Sequence, residues 1–452
     1  MSRPVSIGNA SAFWGDSPDA PVSLLQLRPD LDFLTLDYLA EVSLSIMAIQ
    51  KEKNPEAGFA ADFIEVVRSV LPLWQAGCKT KIVTNSGGLN PVGCATACAA
   101  VFRAAGYQAR IGIVAGDDVL DQLKANSDPD TFRNLETGEP LARVRDQLVT
   151  ANAYLGAHQA AAALRQGADI VICGRLADPS LSVAAALAHF GWGESDYERL
   201  AGATVAGHLI ECGTQVTGGI STHWMELSGQ ENLGFPIVEL WDDGRFVVTK
   251  PDGTGGLVSE ETVKEQLVYE LGDPNCYLSP DVTVSVQDLR IRAVGRDRVE
   301  VHGARGSVPP PTYKVSATYR DGYRAEGMLT IVGPNAASRA RRCGQVVIDR
   351  MRAAGHPPRR WQIEALGSGD VVPGALPRRD DLLECVLRVA VADPRRDCVE
   401  YFTRQLAPLV TSGPAGVTGY SSGRPPVRQV FGYWPCLIPV RRVTPAFRIM
   451  EV

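Results

Sequence analysis

The amino-acid sequence predicts an α/β fold in its first half, a mostly parallel sheet covered by helices, followed by an α+β region with antiparallel hairpins. Three observations carry that expectation. Three apolar, β-rich runs each lead through a polar or glycine-rich loop into a helix that opens on proline: "PVSIG" to Pro18, "KIVT" to Pro91 and "ADIVIC" to Pro179. Two further runs, "DFLTLDY" and "RIGIVAGDD", fall between them, and strands alternating with helices build parallel sheets buried on both faces. After about Gly219 the pattern changes to alternating runs broken by Asp-Gly, "PIVELWDDGRFVVTK" and "TYKVSATYRDGYRAEGMLTIVG", each of which reads as a hairpin.

The elements follow in order. At the three strand-to-helix junctions Ser17, Asn90 and Asp178 stand before the proline. Each side chain can accept from the free N–H groups of a first helical turn, and a proline at the next position has no N–H to leave unsatisfied. In the second half a helix is expected over "NAASRARRCGQVVIDRMRAAG", strands at "WQIEAL" and "CVLRVAVAD", and a helix over "RRDCVEYFTRQLAPL". At 452 residues the chain exceeds what one core usually supports. The expected division is 1–225, an α/β domain carrying the active-site loops, and 226–452, an α+β domain. The Gly-, Ser- and Pro-rich loop at 411–427 is too long for a simple turn.

Composition narrows the function classes. Hydrophobic residues make up 45% and charged residues 21%, with a formal charge of −6. This is a globular composition without the basic stripe that a nucleic-acid partner requires. No apolar run is long enough to span a bilayer, and "MSRPVSIGNAS" lacks the apolar region of a signal peptide. A cytoplasmic protein with no membrane or nucleic-acid partner is expected, and a homo-oligomer. The ten cysteines lack paired short spacings; Cys94 and Cys98, four apart, read as small core residues of a helix. P-loop, nucleophile-elbow, zincin and dinucleotide-binding motifs are all missing.

What remains is a set of polar residues on the strand-end loops, where ligands of open α/β sheets bind. Asp16 closes the first loop; Asp37 ends the second strand, with Glu41 one turn on; Asn85, Ser86, Gly87 and Gly88 open the third; Asp117 and Asp118 end the fourth; Arg175 and Asp178 come from the last. In one crevice, Asp37, Glu41 and Asp117 supply general acids and bases, Arg175 pairs an anionic substrate, and the Asn-Ser-Gly-Gly turn offers amides to a carbonyl or enolate oxygen. Asp16, Asp118 and Asp178 could equally serve their own loops or cap helices. A second constellation lies in "AGHLIECGTQVTGG", where His208, Glu211 and Cys212 share a helical face: an acid–base pair, a thiol nucleophile beside a base, or part of a divalent-metal site.

Taken in order, "ASAFWGD", "DYLAEVSLSIMA", "NSGGLNP", "GDDVL", "GADIVICGRLADPSL", "AGHLIECGTQVTGG", "TKPDGTGGLVS", "YELGDPNCYLSPDV", "GARG" and "GPAGVTGY…YWPCLIP" resemble the acyclic terpene utilisation AtuA family over nearly the whole chain. The resemblance implies a place in the breakdown of acyclic terpenes, whose acids are carried as CoA thioesters. Relatives of this kind carry a further ferredoxin-like domain or have a small companion protein, whereas this sequence stops just after "YWPCLIP". The expectation is that the domain is dispensable here, that a small ferredoxin-like partner supplies it, or that this member has a different role. Residues and resemblance together favour a non-redox hydratase, dehydratase or related lyase acting on a branched or short acyclic acid or its CoA thioester. Acyl transfer or hydrolysis by Cys212 or Ser86, and a non-catalytic subunit that binds a companion, stay open.

Overall fold

The structure is a computed structural model that describes residues 3–40, 42–418 and 423–452. Two compact units divide the chain: Met1–Thr318 with Tyr433–Val452, and Tyr319–Gly432. The first unit begins with β1 (Val5–Asn9), α1 (Ala20–Leu27), β2 (Phe33–Leu36), α2 (Ser43–Lys53), α3 (Asp62–Gln75), β3 (Lys81–Thr84) and α4 (Pro91–Ala104). It continues through β4 (Arg110–Ala115), α5 (Leu120–Ala125), β5 (Leu148–Ala153), α6 (His158–Arg165), β6 (Ile170–Cys173), α7 (Ser180–Phe190) and α8 (Tyr197–Glu211). Then come β7 (Ile237–Leu240), β8 (Phe246–Thr249), α9 (Glu260–Val268), β9 (Tyr277–Leu278), β10 (Thr283–Ser285), β11 (Arg290–Gly295), β12 (Arg298–His302) and β13 (Arg305–Ser307). The long β14 (Thr312–Val332) leads into the second unit, with α10 (Ala336–Ala353), β15 (Arg360–Leu366), β16 (Glu384–Asp393), α11 (Arg396–Phe402) and α12 (Leu409–Ser412). Finally β17 (Arg428–Pro439) returns the chain to the first unit, which closes on β18 (Ala446–Glu451).

Among the described residues the first unit holds a ten-stranded sheet in the order β11-β12-β8-β7-β1-β2-β3-β6-β4-β18. Its centre, β1-β2-β3-β6-β4, is parallel throughout, which brings the carboxyl ends of all five strands to one edge. The apolar runs explain this. Successive side chains alternate between faces, and both faces are covered. Leu34, Ile82, Ile111, Ile113 and Ile172 pack with α1, α3 and α4, while α6, α7 and α8 lie against the other face. β7 and β18 run antiparallel at the two flanks of this centre. The predicted hairpin at "PIVELWDDGRFVVTK" forms as β7 and β8, turning at Asp243-Gly244, and it extends the same sheet.

Local differences from the sequence reading have physical causes. Asn90 caps α4 as expected, accepting from Gly93 N at 2.9 Å. α1, by contrast, starts at Ala20 with Asp19 before it, not at Pro18 after Ser17. Asp178 does not cap α7; its carboxylate is taken by Arg175. The run "TYKVSATYRDGYRAEGMLTIVG" is one strand of 21 residues and not a hairpin. Tyr323 to Val332 pair with β16 while the opening stretch lies on β5, where Thr150 and Thr318 share a hydroxyl hydrogen bond of 2.7 Å. Gly322, at φ +86°, bends the strand without reversing it.

The second unit is the α+β part: β15, β16 and β14 pair antiparallel. Leu329, Ile331, Leu387 and Val389 on one sheet face pack with Val347 and Ile348 of α10 and Phe402 of α11. No helix among the described residues is long and apolar enough to cross a membrane.

Candidate active site

Most strand-end residues are bound to one another. The Asp16 carboxylate accepts from Ala12 N at 3.0 Å and Ser17 N at 2.7 Å, closing its own loop. Asp37 is buried and accepts from Asn85 Nδ2 at 2.7 Å and Leu39 N at 2.9 Å, while Asn85 Oδ1 accepts from Tyr38 N at 2.7 Å. These bonds tie the loop after β2 to the loop after β3. Ser86 is fully buried with its hydroxyl 3.8 Å from the Cys94 thiol, behind the sheet edge. A Cβ on Gly87 would lie 2.6 Å from the Cys173 carbonyl oxygen, and Gly88 turns at φ +48° with Met47 against it. Both glycines are required by packing, and the turn is filled by protein. Asp117 accepts from Asn152 Nδ2 and from Arg175 N, each at 2.8 Å. Asp118 accepts from Leu120 N at 3.0 Å, two residues ahead of it at the start of α5. Glu41 lies outside the described residues.

The last strand-end loop leads elsewhere. A cleft of about 480 Å³ opens in the first unit beside Asp178, with Tyr154, His208, Glu211, Tyr277 and Lys314 among its walls. Gly207 explains how α8 comes so close to the loop after β6: a Cβ there would lie 2.5 Å from the Pro179 carbonyl oxygen. Bare backbone at that contact sets His208 and Glu211, on the last turns of α8, next to Asp178. Arg175 supports the floor. Its guanidinium is buried, reaches both Asp178 oxygens at 2.6 and 3.3 Å, and lies 3.9 Å from the centre of the Tyr154 ring. Leu155 N donates to the Arg175 carbonyl and Tyr154 N to the Lys314 carbonyl, which fixes Tyr154 between them.

The His208–Glu211 pair is the chemically distinctive part. His208 Nε2 lies 3.2 Å from the Leu267 carbonyl oxygen of α9, and Nδ1 lies 3.2 Å from Glu211 Oε1. A carbonyl only accepts, so Nε2 carries a proton. The remaining proton is shared between Nδ1 and Glu211. Burial pushes the Glu211 carboxyl up to about 7 against the pull of His208. For His208, burial opposes the imidazolium, but the Glu211 bond and charge outweigh it and hold the ring above its usual value. Glu211 Oε2 is buried without a hydrogen-bond partner among the described residues, and so is the Tyr154 hydroxyl. Both residues line the cleft, and a buried polar atom without a partner calls for an explanation.

The other titrating groups behave differently. Burial, with Asp178 nearby, drives Asp37 well above the carboxylate range despite Arg175. Asp117 is likewise raised by burial. Both sit behind the cleft wall as neutral or hydrogen-bonded supports. The Cys212 thiol is pushed up by burial and by the Glu211 charge, away from the thiolate a nucleophile needs. Burial also raises the Tyr277 hydroxyl, with Glu211 and Asp178 adding to it, so it stays protonated.

Of the sequence-derived candidates, the fold therefore brings Asp178, His208 and Glu211 to the cleft, with Arg175 beneath, and leaves Asp16, Asn85, Ser86, Gly87, Gly88 and Asp117 in the supporting framework. Tyr154, Tyr277, Glu270 and Lys314 were not among those candidates. Glu270 and Tyr277 belong to the "YELGDPNCYLSPDV" run, whose tyrosines flank a turn-rich stretch and offered the only signal. Among the described residues no group of three or more His, Cys, Asp and Glu side chains is placed to hold a metal ion.

Sheet edge and cleft define an α/β protein with a buried carboxyl–imidazole pair facing a pocket walled by tyrosines. Residues 5–449 match the family model described as acyclic terpene utilisation family protein AtuA. The chain belongs to the AtuA family. No curated protein and no solved structure matches it.

Proposed function

We propose that this AtuA-family protein is an enzyme that adds water to, or removes it from, a branched acyclic carboxylic acid or its CoA thioester. Family membership supports the coarser statement, a role in acyclic terpene utilisation. The chemistry rests on one observation: Glu211, a residue of the cleft wall, is hydrogen-bonded through one oxygen to His208, and its other oxygen is buried without a partner among the described residues.

A carboxyl held near neutrality is suited to both halves of such a reaction. In the acid form, with His208 as the imidazolium donating Nδ1–H to Oε1, Oε2–H protonates a branched carbon–carbon double bond and the π electrons form the new C–H bond. The positive charge develops at the more substituted carbon, and the ring of Tyr277 on the cleft wall favours it. Water then forms a C–O bond at that carbon and releases its extra proton to the Glu211 carboxylate. The net change is addition of one H2O; dehydration is the reverse. His208 does not touch the substrate; it positions Glu211 and buffers its proton.

This reading is favoured over acyl transfer because burial and the Glu211 charge push the Cys212 thiol away from the thiolate, and Ser86 is fully buried beside Cys94. The test is incubation of the purified protein with geranic acid, citronellic acid and their CoA thioesters, followed by mass spectrometry. Gain or loss of one water, abolished by Glu211→Gln, is expected. Turnover that survives Glu211→Gln sinks the assignment, and a stable acyl adduct on Cys212 or Ser86 would replace it with the nucleophilic mechanism.

A further inference from the structure

Building on the reading above, we infer that the cleft takes its substrate as the free carboxylate, anchored at the mouth by Lys314 and Tyr154, and not as the CoA thioester. The cleft has two strong cations within reach. Arg175 is already engaged by both oxygens of Asp178. Lys314 is different. It is exposed, its Nζ lies 5.1 Å from the centre of the Tyr154 ring, and no carboxylate among the described residues is within ion-pair distance of it, although Asp178, Glu211 and Glu270 all line the cleft.

Beside it stands the second donor. The backbone hydrogen bond from Tyr154 N to the Lys314 carbonyl, 2.9 Å long, holds the two residues side by side. The Tyr154 hydroxyl is one of the cleft's two orphaned buried polar atoms. An ammonium and a phenol O–H together match the two oxygens of one carboxylate. A thioester carbonyl carries no charge, and the phosphates of CoA call for several cations, which the cleft walls do not provide. The other orphaned atom, Glu211 Oε2, then falls to the far, apolar part of the same ligand, where a branched double bond belongs.

Titration calorimetry with geranic acid, its neutral amide and its CoA thioester tests this on the full chain. The acid should bind about tenfold or more tightly than the amide and the thioester. Lys314→Met should weaken the acid by about ten- to a hundredfold and leave the amide unchanged, and Lys314→Arg should restore much of the loss. Tyr154→Phe should weaken the acid severalfold. Because Lys314 is exposed, its variants keep the fold. Equal binding of acid and thioester, no binding of the acid, or an unchanged acid affinity in Lys314→Met overturns the inference. A turnover assay separates it from the chemistry: acid binding that depends on Lys314 in a wild-type protein that shows no turnover sustains the anchor and counts against hydration.

Discussion

Replacing Glu211 with Gln removes the titrating oxygen while keeping nearly the same shape, so its effect on stability can be worked out in sign and size. The carboxyl moves from an ordinary value of 4.5 to about 7 on folding because burial penalises its charge. A group whose folded pKa is raised contributes stability that is complete below its unfolded pKa and disappears as pH rises through the folded one. At about 1.4 kcal/mol for each pH unit separating two pKa values, the contribution is about 3 kcal/mol, lost between about pH 4.5 and about pH 7. His208 works in the same direction in the wild type, since its partner holds it above 6.5. In Glu211→Gln the bond and charge that raise the ring most are gone, and burial is opposed only by the Leu267 bond and the Glu270 charge, so this part of the stabilisation at low pH shrinks. Urea unfolding followed by tryptophan fluorescence at about pH 5 and about pH 8 measures this difference. Wild type minus variant should fall by about 3 kcal/mol or somewhat more across that range. Parallel pH profiles for the two proteins would show that Glu211 is an ordinary carboxylate and that the proton-sharing argument is wrong.

Three further outcomes follow from the same geometry. Asp37→Asn should cost less than about 1 kcal/mol and change turnover by less than about tenfold, since the carboxyl is already driven towards its neutral form and Asn can keep accepting from Asn85 and Leu39 N; a kinetic collapse like that of Glu211→Gln would return Asp37 to the chemistry. Gly87→Ala should destabilise by about 2 to 3 kcal/mol in the same urea assay, because the new Cβ meets two backbone positions, the Cys173 oxygen at 2.6 Å and Pro91 Cα at 2.9 Å; a neutral result would mean that the turn has room for a ligand after all. Arg175→Met should cost about 3 to 5 kcal/mol by leaving Asp178 without its partner, and the loss should lessen in Arg175→Met with Asp178→Asn; equal losses in the single and double variants would deny the ion pair that role.

Much of the fold could be read from residue order. Runs such as "KIVT" and "ADIVIC", with consecutive apolar residues at Ile82-Val83 and from Ile170 to Cys173, require cover on both faces, and their loop–proline–helix sequels identify parallel βα units. The Asp-Gly turn at Gly244 was legible because nothing else competes for those residues. The same dipeptide at Gly322 misled, because the strand runs on through it from one pairing partner to another without reversing. At the site, the i, i+3 spacing of His208 and Glu211 was visible as a shared helical face. Their proton sharing was not, since it depends on the Leu267 carbonyl of a helix some 59 residues on and on the burial of α8 from Leu200 to Ile210.

By itself, then, the sequence determined that this chain is an α/β protein of the AtuA family whose parallel strand ends gather polar residues at one edge. Local propensity and hydrophobic pattern act within a few residues, and these features are built at that range. Only the tertiary structure decided which of those residues face open space. Asp37, Asn85, Asp117 and the Ser86–Gly88 turn satisfy one another, and the glycine at 207 lets α8 close on Pro179. That contact sets Glu211 against the cleft, and residues drawn from 154 to 314 complete the walls. Whether a carboxylate is a support or an acid depends on the partners that packing leaves it, and those partners are distant in the chain.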